Sequence, residues 1–184
     1  VQTVSPPCAD QERKLLGSEL DMALISGEAD NDKLDYKLIA SDEVVLLAGR
    51  KTKLAQRIPS GSTVSLSACE GERFVLPAET LPFAGAYDEL LARAGLAPFV
   101  ALRTDDSQCA KRVCAGGSLV MLCPFITLLS DTPAMQQLSH DRLSDTLFAP
   151  LYMAHPQDMP LTPYAQTLHA MMSNRFRAMT AYRL

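Results

Sequence analysis

Five cysteines and three histidines are the residues of this chain best suited to redox, metal or nucleophilic chemistry. The cysteines stand at 8, 69, 109, 114 and 123; their number is odd, and no pair has the C-x-x-C spacing of a zinc or redox site. Cys109 and Cys114 fall on one expected helix at a spacing unsuited to a disulfide, which makes a thiol switch the lesser reading there. Cys114 and Cys123 lie in apolar surroundings, as small buried hydrophobes do. His140, His155 and His169 are scattered without metal-ligand spacing. No serine occupies a G-x-S-x-G elbow, and neither G-x-G-x-x-G nor a phosphate loop occurs. Asp105 and Asp106 are neighbours and project in different directions, a poor arrangement for paired acid–base work. The pattern supports no catalysis and calls for no metal or cofactor. Met159, Met171, Met172 and Met179 gather near the end, where core packing is the plain expectation and oxidation sensing the sharper one.

Binding is the chemistry left, and composition limits what is bound. The 184 residues are 47% hydrophobic and 21% charged, with a formal net charge of −4. A free-standing nucleic-acid binder needs a basic face. The best cluster here is Arg50, Lys51 and Lys53 with Arg57 beyond, and it reads as a solvated strand end. Any action on DNA therefore needs another segment. No secretory signal is evident and no apolar run reaches bilayer length; Leu119 to Leu129 is interrupted by Pro124. A soluble protein in a reducing cytoplasm, with no membrane partner, is expected.

The elements that must position a binding site alternate. Ala9 to Leu16 reads as a helix ended by Gly17, a residue suited to the left-handed position. Leu20 to Ile25 reads as a strand, closed by Ser26-Gly27. Tyr36 to Ile39 and Glu43 to Ala48 read as two more, the second apolar enough for burial on both faces. Phe74 to Leu76 is a strand ended by Pro77, and Gly85 to Ala94 a helix ended by Gly95. Phe99 to Leu102 is a strand, and Asp105-Asp106-Ser107 are good caps for a helix from Gln108 to Ala115. Leu119 to Cys123 and Phe148 to Ala154 are strands, and Pro163 opens a final helix capped by Thr162. Short alternating units argue an α/β fold with largely parallel sheets. Ser41 to Val45 and Thr146 to Leu151 look like crossings between two lobes.

Five stretches, in order, resemble the effector-binding domain of LysR-type transcriptional regulators. They are Gly17-Ser18-Glu19-Leu20-Asp21-Met22-Ala23-Leu24, Glu43 to Leu47 leading to Leu54-Ala55, and Phe74-Val75-Leu76 with Ala94 to Pro98. Val113 to Gly117 through Leu122-Cys123-Pro124 and Pro160 to Ala165 complete the set. The chain departs from the family pattern at Ser18, at Lys51-Thr52-Lys53 and at Gly116-Gly117-Ser118. The resemblance implies a two-lobed fold of the type 2 periplasmic-binding-protein kind with two crossing segments and a small-molecule cleft. Lobe I would hold residues 1–43 and 148–184, lobe II residues 44–147. It also implies that the first strand and helix of the effector domain, and the helix-turn-helix, precede Val1.

In such a fold ligands meet strand carboxyl ends and helix amino ends, where free N–H groups favour anions. The expected effector contacts are Pro7, Cys8, Ser26 and Gly27 in lobe I, and Pro77, Ala78, Thr80, Asp106, Ser107, Cys123 and Pro124 in lobe II. Each has a plainer reading: Ser107 as a cap, Thr80 as a turn residue, Cys123 as core. Cys8 stands near a position where the family often has a hydroxyl, and a thiol there fits a less polar ligand. Phe83, between Pro77 and the next helix, suits either a ligand cover or the core. The function implied is ligand sensing: a metabolite controls DNA binding through the absent helix-turn-helix, with self-association as a dimer or tetramer. The alternative is a solute-binding protein of the same fold, which would need export.

Overall fold

Cys8–Leu16 contains no proline or β-branched residue and folds as helix α1. Its end differs from expectation: the left-handed residue is Ser18, at φ 57°, and not Gly17. Ser18 N–H donates to Leu15 O at 3.0 Å and Glu19 N–H to Lys14 O at 2.9 Å, the paired bonds of a Schellman ending centred one residue later. Leu20 N–H also turns back to Lys14 O, so the next strand starts late, as β1 (Ala23–Ser26). The computed structural model describes residues 8–27, 29–81, 83–129, 138–144 and 146–181.

The two strands expected over 36–48 are one, β2 (Leu34–Gly49). Ala40-Ser41-Asp42 looks like an interruption because it is polar, but it holds neither glycine nor proline and nothing there stops pairing. From Val44 to Ala48 the strand is no more than 1% exposed, burial on both faces as its apolar run requires. Thereafter come α2 (Lys53–Arg57), β3 (Thr63–Val64), β4 (Arg73–Pro77), α3 (Ala84–Arg93) and β5 (Phe99–Thr104). The rest are α4 (Ser107–Gly116), β6 (Leu119–Pro124), β7 (Leu138–Leu143), β8 (Phe148–Pro156) and α5 (Pro163–Ala181). The basic cluster is more than a strand end: Lys53 and Arg57 lie in α2, whose first turn is capped by Thr52 Oγ1 and by the Glu72 carboxylate, 2.7 Å from Leu54 N.

The chain divides into two units, Val1–Asp42 with Ala149–Leu184, and Glu43–Phe148. It passes between them inside β2 and again at the start of β8. In the first unit β1 pairs antiparallel with β8, Ala23 opposite Ala154 through Ser26 opposite Leu151. Leu15, Ile25, Leu34 and Ala154 form its core beneath α1. The Tyr36 hydroxyl donates to Glu12 Oε1 at 2.9 Å, and burial, then that carboxylate, push the phenol above its ordinary pKa. On α5, Tyr164, Leu168 and Met171 are exposed; Met159 and Met171, expected in the core, stand in solvent instead. Met159 lies in the bend before α5, and Met171 on the exposed side of that helix.

In the second unit β4 lies between β5 and β6, parallel to both. β2 pairs antiparallel with β6 and with β7, and the short β3 pairs parallel with β7. The expectation of largely parallel sheets thus holds for β5–β4–β6 and fails for β2, which reaches β6 and β7 running against them. Val45, Leu47, Val75, Ala110, Cys114, Met121 and Cys123 pack between the sheet and α4. Gly49 ends β2 against the end of α4: a Cβ there would collide with Cys114 O and stand 2.5 Å from Gly117 O. Both obstacles are backbone, which cannot rotate away. Gly49→Ala is expected to destabilise the chain by about 3 kcal/mol, the upper range for overpacking, measured by urea unfolding. A loss under about 0.5 kcal/mol would contradict this close approach.

Candidate functional site

Three parallel strands end together in the second unit. Pro77 on β4 pairs with Thr104 on β5, while Cys123 and Pro124 close β6 two residues beyond the Val75–Met121 pairing. The carboxyl edge of a parallel sheet is where α/β folds open, because strand ends diverge there and helices begin. A cavity of about 100 Å³ lies at this edge. Its walls are Val75, Leu76, Leu81, Phe83, Tyr87, Ala110, Met121 and Leu122, with Pro77, Cys123 and Pro124 at the strand ends. Thr104, Asp105 and Ser107 supply the polar groups. Apolar walls with a few converging polar groups are the usual make-up of a small-molecule site, and this volume admits a small one.

Local chemistry fixes each wall. Asp106 caps α4: its Oδ1 accepts from Gln108 N at 2.8 Å and Cys109 N at 3.0 Å. Thr104 Oγ1 accepts from Asp106 N at 3.1 Å, holding the turn that presents Asp105 and Ser107. Ala78 N–H donates to Thr104 O at 3.0 Å, extending the β4–β5 pairing past Pro77. Arg103 ties the same corner to α3, donating to Pro77 O at 3.1 Å and to both Asp88 oxygens at 2.9 and 3.1 Å. The Phe83 ring leans on Tyr87, centroids 5.6 Å apart at 55°, which makes it a wall of the cavity.

Of the residues expected from sequence, Pro77, Ser107, Cys123 and Pro124 come together here. Ala78 and Asp106 stand just behind, one in the strand extension and one as the cap; Thr80 is exposed on the loop and does not line the cavity. Ser26 and Gly27 belong to the first unit, at the end of β1, where Gly27 N–H donates to Pro150 O at 3.2 Å and Gly27 holds φ 105°. Cys8 opens α1, and Pro7 lies outside the described residues. Thr104 and Asp105 were missed, although both follow from the strand-end rule that picked out their neighbours. Tyr87, inside the helix expected from Gly85 to Ala94, is buried and lines the cavity from α3.

The electrostatics run against an anion. Two N–H groups at the start of α4 are taken by the Asp106 carboxylate, Asp105 is part of the lining, and no lysine, arginine or histidine is among the described lining residues. Among the described lining residues an incoming carboxylate would meet the negative charge of Asp105 and no cation. Among the described residues no three histidine, cysteine or acidic side chains are grouped to hold a metal, and no helix is long and apolar enough to cross a membrane.

The family model described as LysR substrate binding domain matches residues 1–177. No curated protein matches the chain. Among solved structures, the chain is similar to the regulatory domain of Synechocystis PCC6803 CcmR in complex with 2-PG, at 19% identity and TM-score 0.73, covering 90% of this chain and 77% of that one. It is similar to the BenM effector-binding domain with its effector benzoate, at 20% identity and TM-score 0.73, covering 97% and 77%. Full-length CbnR complexed with its target DNA is 17% identical at TM-score 0.75, and there the match covers 95% of this chain but 59% of that one. These likenesses show the fold, the α/β fold of the periplasmic-binding-protein type.

Thiols in this unit differ by surroundings. Burial pushes the Cys114 thiol up to about 12, and burial with the charges of Glu72 and Asp141 pushes Cys69 up to about 12 as well, from 9.0. A raised pKa means that the folded state keeps the proton which the unfolded chain releases above about pH 9. Their stabilising contribution is therefore whole below pH 9 and lost as pH rises towards 12. Thermal melts are expected to fall over that window, and Cys114→Ala to flatten the fall; an equal slope in the variant would contradict the assignment.

Proposed function

The chain belongs to the LysR substrate-binding-domain family, and on that premise we propose that it is the ligand-sensing domain of a LysR-type transcriptional regulator whose second-unit pocket takes a small, uncharged, largely apolar molecule. The observation that carries this reading is the pocket itself: apolar walls, three strand ends, and Asp105 with no basic side chain among the described lining residues. Thr104, Asp105 and Ser107 fix the ligand's orientation by hydrogen bonding, and Asp105, as an acceptor, favours a ligand that donates. Related domains bind benzoate and 2-PG. An uncharged ligand sets this chain apart from those anions and follows from its own residues at the mouth.

In this proposal the ligand shifts the domain between two arrangements according to its difference in affinity for them. The output reaches DNA through a helix-turn-helix outside this chain, as the likeness to DNA-bound CbnR supports. Self-association as a dimer or tetramer and a cytoplasmic location belong to the same reading, as does a sensing role without catalysis. In the first unit, Ser26 and Gly27 are proposed as ligand contacts.

A calorimetric screen of small neutral and anionic compounds tests the assignment. A bound neutral compound is expected to lose at least about tenfold in affinity in Ser107→Phe, which fills the mouth while leaving the Asp106 cap in place. Tighter binding of carboxylates, or unchanged affinity in a folded Ser107→Phe chain, would overturn it.

A further inference from the structure

The second-unit cavity is small, and its walls are firm. Its volume is about 100 Å³. A dry apolar cavity of about 150 Å³ holds one benzene ring, so two-thirds of that space admits an apolar body of about four carbons and no aromatic ring. Leu76, Tyr87 and Met121 are 1%, 2% and 5% exposed, packed from behind with little room to give way. The polar groups sit together on one stretch of chain, Thr104 to Ser107. Thr104 Oγ1 accepts from Asp106 N at 3.1 Å, which leaves its O–H to donate. The Asp105 carboxylate only accepts, and the Ser107 hydroxyl does either. Among the described residues no side chain pairs with Asp105 or Ser107. A ligand group that meets all three must donate and accept at the same end. A ketone only accepts, an ammonium only donates, and a carboxylate meets Asp105 with like charge. An ammonium also faces the amino end of α4, the positive end of the helix dipole. A hydroxyl does both without charge.

We propose that this pocket binds a short-chain aliphatic alcohol of about four carbons, its hydroxyl donating to Asp105 and accepting from Thr104 or Ser107. The alkyl chain lies against Leu81, Phe83 and Met121, where its burial supplies the affinity. The inference rests on the reading of this pocket as a ligand site and narrows its ligand class. Thr104 to Ser107 reads the hydroxyl, and the cavity volume limits the chain length.

The test follows the amide NMR shifts of Ala78, Thr104, Ser107 and Ala110 on titration with 1-butanol, butanone and 1-octanol. 1-Butanol is expected to shift these amides saturably and to bind at least about tenfold tighter than butanone, which matches it in length but has no proton to donate. 1-Octanol, longer than the cavity, is expected to bind no tighter than 1-butanol. Asp105→Ala is expected to cost 1-butanol about tenfold and butanone nothing. Equal weakening of both would overturn the role of Asp105 as the hydroxyl's acceptor. In the unaltered chain, equal affinities for 1-butanol and butanone, or tighter binding of 1-octanol, would overturn the alcohol and leave the pocket a ligand site. Shifts at these amides from another neutral compound, with none from 1-butanol, would do the same. No shifts there from any neutral compound would remove both readings.

Discussion

Parallel pairing of β4 with β5 on one side and β6 on the other is the constraint on which the site depends. Because all three strands run the same way, Pro77, Thr104 and Cys123 reach one edge of the sheet, although 46 positions separate the first from the last in the chain. An antiparallel neighbour would send one of those ends to the far side. The helices that return the chain between these strands cover the sheet, so the edge is both open and walled by apolar side chains. Gly49 and Arg103 guard this arrangement from two sides. The absent side chain at Gly49 lets β2 lie against the end of α4, and Arg103 binds the β4 carboxyl end to α3.

Much of this was legible in the sequence because its signals are local. Gly95 ends α3 at φ 71°, and Asp106 caps α4, as the glycine and the capping run Asp105-Asp106-Ser107 imply. The apolar run Val44 to Ala48 forms a strand buried on both faces, and the family resemblance agrees with a family model that spans residues 1–177. What was not legible depends on partners distant in sequence. The strands β3 and β7, mixed in polarity, are not legible, because each depends on partners distant in sequence: β3 on β7, and β7 on β2 as well. The left-handed Ser18 could not be told from a left-handed Gly17, since the glycine is the better candidate on conformational grounds. Gly49 gave no sign of its role, which lies in the carbonyls of Cys114 and Gly117.

The site was half legible for the same reason. Pro77, Ser107, Cys123 and Pro124, which the strand-end rule picks out, line one cavity, while the general preference of helix amino ends for anions takes no account of the cap at α4. A helix start attracts anions only while its N–H groups are free, and here Asp106 has already taken two of them. The Asp106 side chain that caps α4 thereby removes two N–H groups that an anion would otherwise use.

Hydrogen–deuterium exchange on the chain with and without a bound neutral ligand tests the central claim most directly. The account predicts slower exchange at the strand ends around Pro77, Thr104 and Cys123 and in the first turn of α4. Protection confined to the groove beside Leu16, Lys33 and Gln157 in the first unit, with those strand ends unchanged, would contradict it.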